Sequence, residues 1–270
     1  MRSNATIAHS LRPVRCRYEE LVEVDSLATF FSVISGLSSE NAWWFRGHRD
    51  VSWQLVPSAL RYDTVAERER ALGLQTDFRR IAETKLRNIP SKEENLKWMQ
   101  LAQHYGLPTR LLDWTEVATY ALFFACEVIG AVDAKTNGVV FLMNPEHIAT
   151  IKGRPGVSSL GGLSDEGSIR QYFALGGRQS AKGLPTIAIR PVWNSDRLMM
   201  QRSVFTLHGS VRFDLDGSQA PSLVGIPILG RHKGRLMRDL MSAGVDKMTL
   251  FPELEHACES LMSRANLKQG

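Results

Sequence analysis

LAQHYGLPTRLLDWTEVATYALFFACE, residues Leu101–Glu127, sets polar groups of four chemical kinds between two apolar helical patterns. Gln103, His104 and Tyr105 close the first pattern, and Gly106 supplies its stop, since glycine enters the left-handed conformation without a steric penalty. The chain turns at Pro108. Leu111 and Leu112 read as a short buried strand, Asp113 as a cap, and Val117, Tyr120, Ala121, Phe124 and Ala125 recur at helical spacing. Asp113, Trp114 and Thr115 are therefore expected at a strand-to-helix junction, where orphan N–H groups and the helix dipole favour a carboxylate or a bound phosphate. Taken alone, Asp113 reads as a cap before it reads as a catalyst, and a His-Tyr pair before glycine reads as a helix-end hydrogen bond. Density argues for a site. Gln103, His104, Tyr105, Thr109, Arg110, Asp113, Trp114 and Thr115 fall within 13 positions, and each must find a partner if buried.

Upstream, RYEELVEV reads as a first strand, and Asp25 or Ser26 caps a helix through LATFFSVISGL that ends near Gly36. In NAWWFRGHRDVSWQLVPSALR, Ala42 to Phe45 is a short apolar run ended by Arg46, Gly47 and His48, and Trp53 to Val56 reads as another short strand before Pro57. Three tryptophans, Trp43, Trp44 and Trp53, surround Arg46. An arginine beside glycine and indoles suits an anion clamp: the guanidinium grips phosphate oxygens bidentately, Gly47 lets a ligand approach the backbone, and Trp44 stacks on a ring. The same residues are equally served by an internal ion pair and an aromatic core. Val65 to Arg87 reads as a long charged helix with Leu72, Leu74, Phe78, Ile81 and Leu86 inward, and Glu93 to His104 continues helical after Pro90.

Downstream, NGVVFLMNP, TIAIRPVW, SVFTLHG and VGIPI read as strands, and Ser195 to Met200 as a helical turn. Gly234 to Ala243 reads as a helix stopped by Gly244, and TLFPELEHACESLM as a closing helix with Pro252 in its first turn. The glycine-rich KGRPGVSSLGGLSDEGS is a connection without the spacing of a phosphate-binding loop.

At 270 residues, 43% hydrophobic and 23% charged, the chain is expected to form one domain. No window approaches the ~18 apolar residues of a membrane helix, and MRSNATIAHSLRPVRCR lacks a signal-peptide core, so a cytoplasmic protein is expected. Cys16, Cys126 and Cys258 are far apart and form no CxxC pair, with Cys126 and Cys258 assigned to the core; the scattered histidines have no zinc spacing, so no metal is expected. The net charge is +5, but between Arg170 and Arg238 eleven Lys and Arg face three Asp and no Glu. That region 170–238 suits RNA, DNA, a phosphorylated nucleotide or an acidic protein, or is a solvated basic face.

WWFRGHRD with WQLVPSALR, then QHYGLPTRLLDWT with ALFFA, then QRSVFTLHG and TLFPELE, resemble the FRG domain family, over roughly Ala42 to Leu261. The resemblance divides the chain into an N-terminal scaffold, 1–40, packed on an FRG domain, 41–265. A weaker resemblance links the order of elements to mono-ADP-ribosyltransferases. It implies an α+β fold with a small split, a mostly antiparallel β core surrounded by helices. Phe45-Arg46-Gly47 matches that family's first motif, Leu112-Asp113-Trp114 ahead of Phe124-Ala125 stands for the second, and Gln201-Arg202-Ser203 stands where Glu-x-Glu belongs. Ser203 thus replaces the catalytic glutamate, which stabilises the oxocarbenium-like charge as the glycosidic bond breaks.

The reading that follows is an NAD-dependent ADP-ribosyltransferase acting on a macromolecule, with NAD as co-substrate. Asp113 or Glu116 takes over the carboxylate's task, His104 is general base, and Gln201 orients the ribose. Arg46, Gly47, Trp44, Tyr105, Thr109, Arg110, Trp114 and Thr115 bind NAD. The company such domains keep implies a toxin or phage-defence role and an antitoxin partner. Two other classes stay open: a metal-independent nuclease using His48 and His104, and a non-catalytic nucleotide or nucleic-acid binding module using Arg46, Trp44 and Trp114.

Overall fold

The computed structural model describes residues 17–18, 23–36, 43–129, 135–145, 148, 158–159, 172, 184, 186–191, 195–209, 223–252 and 258. Trp44–His48 (β2) and the apolar Gly138–Met143 (β4) pair antiparallel over five residues, from Trp44 opposite Met143 to His48 opposite Val139. Leu111–Thr115 (β3) pairs antiparallel with Ser203–Leu207 (β7), Asp113 lying opposite Phe205. Ile187–Arg190 (β6) and Val224–Ile228 (β8) extend the two sides, and the two-residue strands Arg17–Tyr18 (β1) and Ser158–Ser159 (β5) add parallel edges. The order is β1-β8-β4-β2-β3-β7-β6-β5. Helices flank this one sheet, so the fold is α+β with an antiparallel centre, as expected.

Between β2 and β3 the ladder narrows to one residue pair, Phe45 opposite Thr115. Continued in register, Gly47 would face Asp113; instead the strands part, and the sheet is split at its middle.

Three helices cover one face. Leu27–Ser35 (α1) starts on the Ser26 cap and ends at Gly36, as the sequence indicates. Ala118–Cys126 (α4) and Gly230–Ser242 (α6) bury Phe123, Leu236 and Leu240 against Phe45, Val140 and Ile226. Glycine sets how close α4 comes: a Cβ on Gly47 would lie 1.9 Å from the Ala121 carbonyl oxygen, and one on Gly138 2.4 Å from that of Ala125. The opposite face holds Trp44, Leu112, Trp114, Phe141 and Val204. Asn95–His104 (α3) packs on the far half of the sheet, placing Leu96 and Met99 against Leu111 and Phe205, and Gly106 ends it with φ +82°.

Val65–Lys85 (α2) carries a capping box between Thr64 and Glu67. Its inward residues are Ala71, Gln75 and Ala82, whereas Leu74 and Ile81 are exposed. Charged residues surround both candidate stripes, so spacing alone did not choose between them.

Several boundaries differ from the sequence reading. Arg46, Gly47 and His48 continue β2, because β4 supplies partners through Val139. Trp53 to Val56 is irregular, followed by a 3-10 turn at Ser58–Leu60. α6 begins at Gly230, and Gly244 stops it with φ +82°. Asp196–Met200 (α5) is the expected turn on its Ser195 cap. Lys247–Leu250 (α7) ends before Pro252, and most of the expected closing helix lies outside the described residues. So do Glu19 to Val22, most of the glycine-rich connection, and much of region 170–238. Cys126 is buried as expected, but Cys258 is exposed. Among the described residues no helix is long and apolar enough to cross a membrane.

Candidate functional site

The parted strands open on a cavity of about 560 Å³. Arg46 and His48 of β2, Asp113 and Thr115 of β3, Ser203 of β7, Gln103 and His104 of α3, and Arg197 and Gln201 of the α5 segment line it. This volume falls within the ~300–1,000 Å³ of small-molecule sites. Its charged wall is Arg46, Arg49, Arg61 and Arg197 against Asp113 and Glu127, a surplus of cations. Glu127 is shared between Arg49 at 3.9 Å and Lys247 at 4.0 Å.

Arg46 bridges the split. Its Nη1 donates to the Asp113 carbonyl at 2.6 Å, an acceptor turned toward the strand that has moved away, and its Nε donates to His48 Nε2 at 2.9 Å. Burial lowers its pKa to about 10, the Asp113 charge opposing that shift, so the guanidinium remains charged at neutral pH. Two of its nitrogens are committed to protein, which replaces the expected bidentate phosphate grip by a single remaining terminal nitrogen. His48 is buried, and enclosure, reinforced by Arg46, pushes its pKa well down.

Asp113 is mid-strand rather than a helix cap: α4 starts four residues later, on Val117, without a side-chain cap. The ladder to β7 runs through Asp113 and holds it extended. Its alternation places the carboxylate on the cavity side, open to solvent through the cavity yet hemmed in by protein. Gln103 Nε2 donates to both carboxylate oxygens at 2.7 Å. The Thr109 hydroxyl donates to Gln103 Oε1, which fixes the amide's orientation. Enclosure raises the Asp113 pKa, while Arg46, Arg197 and the Gln103 bond pull it down. Glu116, the other candidate carboxylate, is outside the wall and bridges Arg190 and Arg202, each at 3.3 Å.

The remaining sequence candidates divide. His104 and Tyr105 line the cavity, their rings edge to face at 5.2 Å. Gln201 lines it too, but its Nε2 donates to the Leu250 carbonyl at 3.0 Å, and Thr115 Oγ1 donates to the Gln201 carbonyl at 2.7 Å. Trp114 borders the cavity while only 2% exposed, its indole N–H donating to Thr206 Oγ1 at 3.0 Å. The Thr206 hydroxyl pairs in turn with His208 Nε2 at 2.8 Å, and burial, with Arg46 and Arg110, lowers the His208 pKa to about 3. Trp44 and Arg110 are not in the wall: Trp44 is fully buried in the opposite-face core, and Arg110 donates to the Gly209 carbonyl at 2.7 Å. Thr109 is also buried and acts through Gln103. Gly47 lines the cavity, but its missing side chain makes room for α4 rather than for a ligand.

Among the wall residues given no role by the sequence reading, Gln103 and Arg61 stand out by their geometry. Gln103 fixes the carboxylate, and its signal was the Gln-x5-Thr-x3-Asp run itself. Arg61 is anchored by Nε on the Val56 carbonyl at 3.0 Å, leaving both terminal nitrogens without a protein partner among the described residues. Among the described residues no cluster of three His, Cys, Asp or Glu is placed to hold a metal.

The family model described as FRG domain matches residues 41–133, which contain Arg46, Arg61, Gln103, His104 and Asp113. No curated protein and no solved structure matches the chain.

Proposed function

This chain carries an FRG domain, and from that premise we propose that its split cavity binds NAD and transfers ADP-ribose to a macromolecule. One observation carries the reading. The three segments aligned with transferase motifs, Phe45-Arg46-Gly47, Leu112-Asp113-Trp114 and Gln201-Arg202-Ser203, come from widely separated parts of the sequence. Residues of all three, on β2, on β3 and at the start of β7, line one cation-rich cavity. Arg61 and the free nitrogen of Arg46 suit the pyrophosphate. As the bond between nicotinamide nitrogen and the ribose anomeric carbon breaks, nicotinamide leaves with the electron pair, and positive charge grows on the sugar. The Asp113 carboxylate, pre-oriented by Gln103, stabilises that charge in an enclosed site where a carboxylate acts strongly. The acceptor's nucleophilic atom then bonds to the anomeric carbon and gives its proton to His104.

The nuclease reading requires a protonated partner for His104, and His48, accepting from Arg46 and held neutral, does not supply it. The buried Ser203 at the usual glutamate position favours a second reading, a nucleotide-binding module without turnover. Incubation with NAD labelled in its adenylate phosphate, alongside pools of protein, RNA and DNA, separates the two. Nicotinamide release with label on one pool, lost in Arg46→Ala, is the expected result; saturable NAD binding without release leaves only the module.

A further inference from the structure

A second cavity, about 350 Å³, lies beside the first and shares His48, Trp53 and Arg61 with it; Gln54, Val56 and Leu60 complete its wall. Its loop is held in place. Asp50 Oδ1 accepts from the Ser52 N–H at 2.8 Å, the Asp50 carbonyl accepts from the Trp53 N–H at 3.2 Å, and the Val51 N–H donates to the Asn137 carbonyl at 2.8 Å. Trp53 is nevertheless 42% exposed, an unusual position for an indole whose loop is fixed. The Arg49 guanidinium sits 4.8 Å from its ring centre and steadies it.

We propose that this second cavity is a nucleotide subsite, with a nucleobase stacked on Trp53 and its phosphate held by Arg61. The chemistry of the wall selects that class. Arg61 is the charged group of this wall, which itself holds no carboxylate, Asp113 acting on it only from the first cavity, and its two terminal nitrogens offer a fork for phosphate oxygens. The Gln54 amide, without a protein partner among the described residues, can both donate to and accept from a base edge. Val56 and Leu60 supply apolar cover for a flat ring. A nucleobase with its phosphate could come from the adenylate half of NAD or from a single-stranded acceptor. The shared wall admits either, and in both cases the inference deepens the transferase reading, on which its link to catalysis rests.

The test uses the fluorescent etheno analogue of AMP with the full chain, and AMP and adenosine as competitors. Stacking predicts that Trp53→Ala weakens binding about 10-fold or more, whereas Trp53→Phe keeps most of it. Arg61→Ala should abolish the preference for AMP over adenosine while leaving adenosine binding in place. Both positions are exposed, and an unchanged Tm in each variant verifies folding. Displacement of the probe by NAD assigns the base to the dinucleotide; displacement by a short oligonucleotide but not by NAD assigns it to the acceptor. No probe binding, equal binding of AMP and adenosine by the wild type, or indifference to Trp53→Ala overturns the proposal. Probe binding with these properties and no nicotinamide release keeps the subsite and removes the transferase; release without an AMP site does the reverse.

Discussion

Arg46 and Asp113 are joined across the split by a main-chain hydrogen bond, not by their charges alone. The Arg46 Nη1 donor takes the Asp113 carbonyl, so the carboxylate itself stays available to the cavity, where Gln103 turns it. Such a carboxylate is a compromise. Enclosure disfavours its charge, and the raised pKa records that enclosure outweighs Arg46 and Gln103 together. Asp113→Asn is therefore expected to raise the Tm at neutral pH, because a neutral amide removes the cost of keeping an anion there, and to cut nicotinamide release by ~10²-fold or more. Unchanged release would take Asp113 out of the mechanism. Polar density pointed to Asp113, an arginine beside glycine and indoles pointed to Arg46, and both line the cavity. The same two arguments also drew in Arg110 and Trp44, which local spacing does not separate from wall residues but which the fold turns to the Gly209 carbonyl and to the opposite-face core.

At the scale of elements, α4 lies against β2 and β4 because Gly47 and Gly138 leave room for its backbone. A methyl on Gly47 would sit 1.9 Å from the Ala121 carbonyl oxygen and 2.7 Å from the Ala125 nitrogen, both main-chain atoms that cannot rotate away. Gly47→Ala should thus destabilise the protein by about 3 kcal/mol or more, read as a lower urea midpoint. A midpoint within error of wild type would mean that α4 shifts freely and that glycine serves the cavity instead. Element types were largely legible: the helix start at Asp25 or Ser26, the turn at Ser195 to Met200, and the stops at Gly106 and Gly244 are local chemistry. Asp113 was misread for the same reason in reverse. A polar residue before a helix satisfies the rule for a cap, and only pairing with β7 holds it in a strand.

For the whole molecule, the buried histidines set a pH dependence. His48 and His208 are held neutral, the latter with its pKa lowered to about 3, while an unfolded chain protonates histidine near ~6.5. In that window the unfolded state binds more protons, so stability rises with pH. The histidine contribution is complete above the unfolded value and is lost as pH falls toward the folded one. Tm should decline from pH 7 to pH 5, above the range where most carboxylates titrate, and His208→Gln should flatten part of the slope. A level profile over that range would contradict the burial that closes the sheet's far side.

By itself the sequence determined the type of most elements, since caps, glycine stops and apolar runs act over a few residues. It also singled out Arg46, His104 and Asp113, which line the cavity. Only the tertiary structure decided that β2 and β3 part after a single pair, that Arg46 spans the gap, and that Arg61 and Trp53 border a second cavity. Those outcomes depend on strand register and on the approach of α4, which are set by contacts between segments far apart in the chain and leave no trace in local spacing.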